Sequence, residues 1–312
     1  MTTTLERPTT APNPVPRPKP SRTGSKEERT GLAMLAPAVL LLALFIFIPA
    51  VLAFALAFTN ARLISPYPAT FVGFDNFARL LTDPSFFRAL LNVAYFAVVV
   101  VPLQAGLALI MAILVNTKIR GTTFFRTVYF LPVVTSMVVV SLLWLFMYRQ
   151  DGLINVVIDR VTFGLVTGPD WLNDTSTSMP AIILMSVWQG VGFHMIIWLS
   201  GLQTIPADLY EAADLDGVSP WQRFRYITWP GLTATRSLIL VTITIQALSL
   251  FTQISVMTQG GPLDSTTTVV YEAVESGFAQ QETGYASAIS LVFFVLVLLI
   301  SVVQRFLTRE KA

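Results

Sequence analysis

Hydrophobic and polar positions along this chain do not alternate at short range; they separate into long blocks. With the single His counted as neutral, six stretches exceed 20 residues without a charged side chain: 30–61, 89–117, 127–148, 175–207, 237–263 and 283–304. The next longest, 63–74, has 12 residues. A helix needs roughly 20 mostly apolar residues to cross a hydrocarbon core of about 30 Å. In lipid only helices and closed barrels satisfy every backbone group, and these runs lack the alternation of barrel strands. The pattern predicts an all-α membrane protein of six transmembrane helices, at about 32–58, 88–115, 127–147, 180–202, 236–257 and 284–304.

Segments 59–87, 148–179 and 258–283 then face one side, and 116–126 and 203–235 the other; none is long enough to be a domain. Residues 1–30, with six prolines between Pro8 and Pro20, are expected to be a disordered tail. Ala53-Phe54-Ala55 has the form of a signal-peptidase site, but the apolar run Leu32–Phe58 is about twice a normal signal core. An uncleaved anchor is expected. The organisation reads as a tail (1–30), a first transmembrane helix with its outer loop (31–87), a five-helix core (88–305) and a short tail (306–312).

Composition sharpens the class. The chain is 54% hydrophobic and 12% charged, about half the charge of an ordinary soluble protein. Its net charge of +2 gives no reason to expect nucleic acid as a partner, and zero Cys excludes disulfides, thiolate metal sites and a cysteine nucleophile. Lys and Arg are unevenly placed. With residue 1 in the cytoplasm, the inner segments hold 15 of them and the outer loops 5. The positive-inside rule then puts both termini in the cytoplasm, and the Thr/Pro/Arg-rich tail suggests a bacterial inner or plasma membrane protein.

What the apolar runs lack is equally informative. They contain no Asp, Glu or Lys; Arg236 sits at an inner end, and His194 is the one titratable group at depth. A hydrogen-bonded interhelical His is the reading favoured over a proton relay. Ion-coupled carriers place ionisable groups along their pathway, so a secondary carrier is the disfavoured rival, although neutral Na⁺ sites keep it open. Lys19, Lys26, Lys118 and Lys311 are the only lysines, and none lies in a phosphate-binding glycine loop. With one His and no intramembrane carboxylate there is no evident acid–base pair. The chain is expected to be non-catalytic and to bind no cofactor itself.

The segment from Gln203 to Pro230 reads QTIPADLYEAADLDGVSPWQRFRYITWP. Pro206 and Asp208 suit a helix start, Gly217 suits a helix end with positive φ, and Ser219-Pro220-Trp221-Gln222 suits a capping box with Pro at the first position. Pro230 is expected to stop the second helix. Two short helices hinged at a glycine are predicted, and on spacing alone an interfacial amphipathic hairpin fits equally well.

Glu211-Ala212-Ala213, then Gly217, then Ile227 and Pro230, resemble the EAA loop of binding-protein-dependent ABC importer permeases. Trp229 stands where that pattern has Leu. Phe71-Val72-Gly73-Phe74-Asp75-Asn76-Phe77, Arg120-Gly121 with Phe124-Phe125-Arg126-Thr127, and Gln259-Gly260-Gly261-Pro262 resemble loops of the sugar permeases of that family, across about residues 32–305. The resemblance implies a type I ABC importer permease fold, with the loop 203–230 seated on a cytoplasmic ATPase. It also implies a second six-helix permease subunit, two ATPase subunits that use ATP and Mg, an extracytoplasmic solute-binding protein, a sugar substrate and surrounding membrane lipid. A glycerol-3-phosphate-type permease is the alternative within the family.

A sugar site needs neutral hydrogen-bonding groups and an aromatic face. The fourth run offers Ser186, Trp188, Gln189, Gly190, Phe193 and His194; the fifth offers Gln246, Ser249, Thr252 and Gln253. Read without a family, these groups more readily hold helices together. The resemblance places substrate contacts on Ser186, Gln189, Gly190, Phe193, Gln246, Ala247 and Leu250, with Ser249 beside them. None is Arg or Lys, which disfavours a phosphorylated substrate.

Overall fold

The structure is a computed structural model that describes residues 24–116 and 122–308. Residues 1–23 of the expected tail and Arg120-Gly121 lie outside the described residues; the tail's last part, 24–30, is not disordered as expected but forms the first turns of α1. The chain divides into two compact units, Met1–Leu52 and Ala53–Ala312. In the first, α1 (Gly24–Leu42) runs through a π turn at Ala43–Phe47 into α2 (Ile48–Leu56), whose end belongs to the second unit. Leu40, Leu44, Phe45 and Val51 along it are exposed. Apolar side chains all round a helix are what a lipid-facing or partner-facing span requires.

In the second unit a short α3 (Asp75–Leu80) precedes α4 (Pro84–Val115). Asp83 caps α4 by accepting from the Ser85 N–H, with Pro84 at the first position. Then follow α5 (Thr122–Val134), α6 (Met137–Met147), α7 (Leu153–Val161) and α8 (Ser178–Gln203). The connection between α8 and the next long helix holds α9 (Ala207–Leu215), α10 (Pro220–Arg223), a π turn at Phe224–Thr228 and α11 (Trp229–Gly231). α12 (Thr233–Leu248), α13 (Thr252–Met257), α14 (Val269–Val274) and α15 (Thr283–Thr308) complete the chain.

Helices α4 and α8 form the centre, with α5 and α12 packed on them. The α4–α8 seam is tight because small residues face it: a Cβ on Gly190 would lie 1.9 Å from Gln104 Nε2. The Trp198 indole N–H donates across it to the Ala105 carbonyl at 3.1 Å. A second apolar cluster, around Phe86, Val93, Tyr285 and Ile289, joins α4 to α15.

Five helical paths are long and apolar enough to span: Arg29–Leu56, Pro84–Val115, Ser178–Gln203, Thr233–Met257, which crosses the gap between α12 and α13, and Thr283–Phe306. The third expected span, 127–147, is not one straight helix. Arg126–Val134 and Met137–Met147 are bent by 101° against each other. Pro132 supplies no N–H and its ring crowds the carbonyl one turn back, which weakens this end of α5; the helix stops at Val134 and α6 restarts at Met137, with Ser136 as its N-cap. A second correction concerns Pro230. It does not stop the helix; the π turn Phe224–Thr228 widens the coil ahead of it, and helical backbone continues to Gly231.

Candidate functional site

A cavity of about 380 Å³ opens between α4, α8 and the end of α12. Every substrate position named from sequence lines it: Ser186, Gln189, Gly190 and Phe193 from α8, and Gln246, Ala247, Ser249 and Leu250 from α12 and the break beyond it. On α8, Ser186, Gly190 and Phe193 recur at three to four residues and so share a face.

The fifth span is interrupted here. After Leu248 the chain leaves the helix, with φ −89° at Ser249 and φ −137° at Phe251, and resumes at Thr252. The freed Leu250 carbonyl accepts from the buried Thr268 hydroxyl at 2.7 Å. An interruption of this kind brings backbone groups and Ser249, Thr252 and Gln253 to the cavity instead of packing them between turns.

Sequence reasoning missed six lining residues: Phe96, Val100 and Gln104 from α4, Val133 and Met137 from the α5–α6 elbow, and Ile243 from α12. Gln104 did leave a signal, as the lone polar side chain between Phe96 and Val115. Its amide nitrogen lies 3.2 Å from His194 Nδ1, which is also 2.9 Å from the Gly190 carbonyl oxygen. His194 is thus interhelical and hydrogen-bonded. Among the described residues none of the lining side chains is Asp, Glu, Lys or Arg. A larger hollow of about 590 Å³ within the α5–α6 elbow is mostly apolar, with Leu131, Val139 and Leu143 among its walls.

The EAA segment forms the predicted helical hairpin. Gly217 has φ +68°; its N–H donates to the Asp214 carbonyl and that of Val218 to the Ala213 carbonyl, which is a Schellman closure of α9. Ser219 and Gln222 make the reciprocal capping box at 3.3 and 2.8 Å. Arg223 pairs with Asp214 at 2.6 Å, and the Tyr210 and Thr228 hydroxyls lie 3.0 Å apart. Ala213 is buried, Ile227 is half-buried, and Glu211, Ala212 and Pro230 are exposed. Leu215 is 90% exposed and Trp221 70%. The hairpin is held by its own caps and ion pair while Leu215, Trp221 and Tyr226 stand exposed.

At the opposite end of the long helices the loops are pinned by polar contacts. Arg79 pairs with Glu282 at 2.7 Å and stacks on the Tyr285 ring at 3.9 Å, and Arg88 pairs with Asp264 at 3.4 Å. Tyr285 donates to Asp83. Asn76 donates to the Ala57 and Thr59 carbonyls, and Asn92 to those of Asp264 and Thr267. Glu272 in α14 has its carboxyl pushed above the usual range, chiefly by burial and then by Asp83, Asp264 and Glu275. Among the described residues no group of three His, Cys, Asp or Glu is placed to hold a metal ion.

Comparison with known proteins agrees with this arrangement. The family described as "Binding-protein-dependent transport system inner membrane component" matches residues 104–311. The lactose transport system permease protein LacF of Rhizobium radiobacter is 34% identical, over 90% of this chain and 94% of its own length. The diacetylchitobiose uptake system permease protein NgcF of Streptomyces coelicolor is 31% identical, over 91% and 88%. A chain in the crystal structure of a bacterial alginate ABC transporter, in complex with alginate pentasaccharide-bound periplasmic protein, superposes with a TM-score of 0.80. That match is 22% identical and covers 92% of this chain and 96% of the other, which establishes a shared fold.

Proposed function

The chain belongs to the inner membrane components of binding-protein-dependent transport systems, and from that premise we propose that it is the permease subunit of an ATP-driven importer of a sugar. It is multi-pass and non-catalytic. It pairs with a second six-helix permease, is driven by two ATPase subunits that bind and hydrolyse Mg-ATP, and receives its sugar from a solute-binding protein. Both termini lie in the cytoplasm and the pinned loops face outward, in accord with the bias of Lys and Arg.

The observation that carries this reading is the hairpin 207–231: a Schellman-closed, capped pair of helices with exposed apolar tips, on a chain whose lysines lie in no phosphate-binding glycine loop. Such a lever transmits closure of an attached ATPase pair to α8 and α12, the two helices it joins. Those helices wall the cavity, so motion of the hairpin changes the shape and access of that cavity.

The cavity itself favours an uncharged polyhydroxy substrate. Gln189, Gln246, Ser249 and Gln253 offer neutral donors and acceptors, and Phe193 offers a ring face. The lactose and diacetylchitobiose systems named above support a di- or oligosaccharide. A glycerol-3-phosphate-type substrate finds no Arg or Lys in this wall. The deciding experiment measures uptake of radiolabelled lactose, maltose and cellobiose into proteoliposomes holding the whole complex, with intact or hydrolysis-deficient ATPase subunits. Uptake that requires hydrolysis is expected. Uptake driven by a Na⁺ or H⁺ gradient with inactive ATPases would establish the secondary-carrier rival instead.

A further inference from the structure

Two polar atoms on residues that line the cavity find no partner among the described residues: His194 Nε2 and Ser186 Oγ. Their side chains are 0% and 8% exposed. They stand on α8 one turn either side of Gly190 and so share its face. An unpaired polar atom sealed in a low-dielectric wall is destabilising. A fold that keeps two of them in one cavity wall holds hydrogen-bonding capacity in reserve, which a ligand reaches as the wall moves.

Local geometry decides what His194 offers. Its Nδ1 lies 2.9 Å from the Gly190 carbonyl oxygen. A bare nitrogen lone pair facing a carbonyl lone pair is repulsive, so Nδ1 carries the hydrogen and donates to that carbonyl. The Gln104 amide meets the same nitrogen at 3.2 Å. Its two ends exchange by a half-turn, and the carbonyl end suits an Nδ1–H neighbour. In this neutral tautomer Nε2 is an acceptor only. Gln104 reaches the ring because residue 190 has no side chain; a Cβ there would lie 1.9 Å from its amide nitrogen.

We propose that His194 is a specificity-determining residue: Nε2 accepts a hydrogen bond from one hydroxyl of the transported sugar, with Gln104 and the Gly190 carbonyl as the groups that position the ring. The proposal rests on the sugar-importer reading of this cavity. A metal-ligand role is disfavoured, because no second and third ligand accompanies His194 among the described residues. The bland alternative, a His that merely joins α4 to α8, uses Nδ1 alone and gives Nε2 nothing to do.

The two roles are separable because an Asn amide reaches where Nδ1 sits and a Gln amide where Nε2 sits. The assay uses the complete transporter in proteoliposomes, with its binding protein and radiolabelled lactose, maltose or cellobiose, plus monodeoxy analogues of the sugar carried. Wild type is expected to disfavour one monodeoxy analogue by about tenfold in kcat/KM. His194→Asn should carry the parent sugar about tenfold less well, through KM, and lose that discrimination; His194→Gln should largely keep both. The reverse order, or undiminished discrimination in His194→Asn, overturns the proposal and leaves a packing role.

A second measurement does not depend on the variants' transport. This chain has one His, so the difference between ring-¹⁵N spectra of wild-type and His194→Gln complexes isolates its two nitrogens. Saturating sugar should move the Nε2 resonance and leave Nδ1 in place; an Nε2 that does not respond overturns the proposal. Wild type that carries none of the three sugars under ATP would instead defeat the sugar reading itself, an outcome distinct from a working importer indifferent to His194.

Discussion

Gly217 and Gly192 are constrained for opposite reasons, and single substitutions separate them. At Gly217 an added Cβ meets nothing within 4 Å, but φ is +68°. Only backbone strain opposes a side chain there, about 1–2 kcal/mol for a β-branched residue. Gly217→Val should therefore insert and fold but tilt the hairpin. We expect it to lose the ATPase subunits on co-purification and to abolish uptake; wild-type retention with wild-type uptake would remove the hairpin from the mechanism. Glu211, exposed on the same hairpin, should give a milder version of the defect as Glu211→Lys. At Gly192 the backbone is ordinary, and a Cβ would lie 1.9 Å from the Tyr129 carbonyl oxygen. That neighbour is main chain and cannot rotate away. Gly192→Ala should cost about 2 kcal/mol or more and lower the melting temperature of the purified complex. An unchanged melt would mean that α5 and α8 approach less closely than described.

At the scale of elements, two interruptions matter more than the unbroken helices. The gap between α12 and α13 holds its shape through the Thr268 hydroxyl on the Leu250 carbonyl. Thr268→Val keeps the volume but strands a buried acceptor, at about 1–3 kcal/mol. The expected outcome is an assembled complex with reduced uptake and weakened sugar-stimulated ATPase activity; full activity would show the break to be held by something else. Between α13 and α15, α14 carries Glu272, whose carboxyl binds its proton more tightly in the folded chain, mainly because burial disfavours the charged form. A raised folded-state value means that its favourable contribution is present below the ordinary carboxylate range. That contribution is lost as pH rises through the raised value. Glu272→Gln should accordingly raise the melting temperature near roughly pH 8 and change little near roughly pH 4. Equal shifts at both pH values would place the effect in packing. Several other elements were open to sequence reasoning because their signals are local. The Ser219–Gln222 box, the Gly217 closure and the length of α8 depend on neighbours within one or two turns. The 101° bend after Pro132 was harder to read, since many membrane helices continue through a proline and α4 does so at Pro102.

For the molecule as a whole, the amino-acid sequence by itself determined the solvent. Six charge-free runs, the near absence of ionisable groups within them and a lopsided Arg and Lys distribution leave only a helical membrane protein. It also determined the chemistry on offer: neutral amides, hydroxyls and rings in the fourth and fifth runs, and a capped hairpin between them. These properties follow from composition and from spacings shorter than a helical turn or two. Which groups face the cavity was decided by tertiary structure alone. Gln104 is 90 residues from His194 in sequence, and nothing local makes a lone Gln in an apolar run point toward one neighbour rather than another. The close α4–α8 approach at Gly190 brings the two together. The opening of the helix at Ser249–Phe251 likewise answers a partner 18 residues further on, Thr268, not a break signal of its own. Periodicity marks the face of each helix, but the meeting of faces depends on how small side chains let backbones approach, and that is settled only when the helices pack.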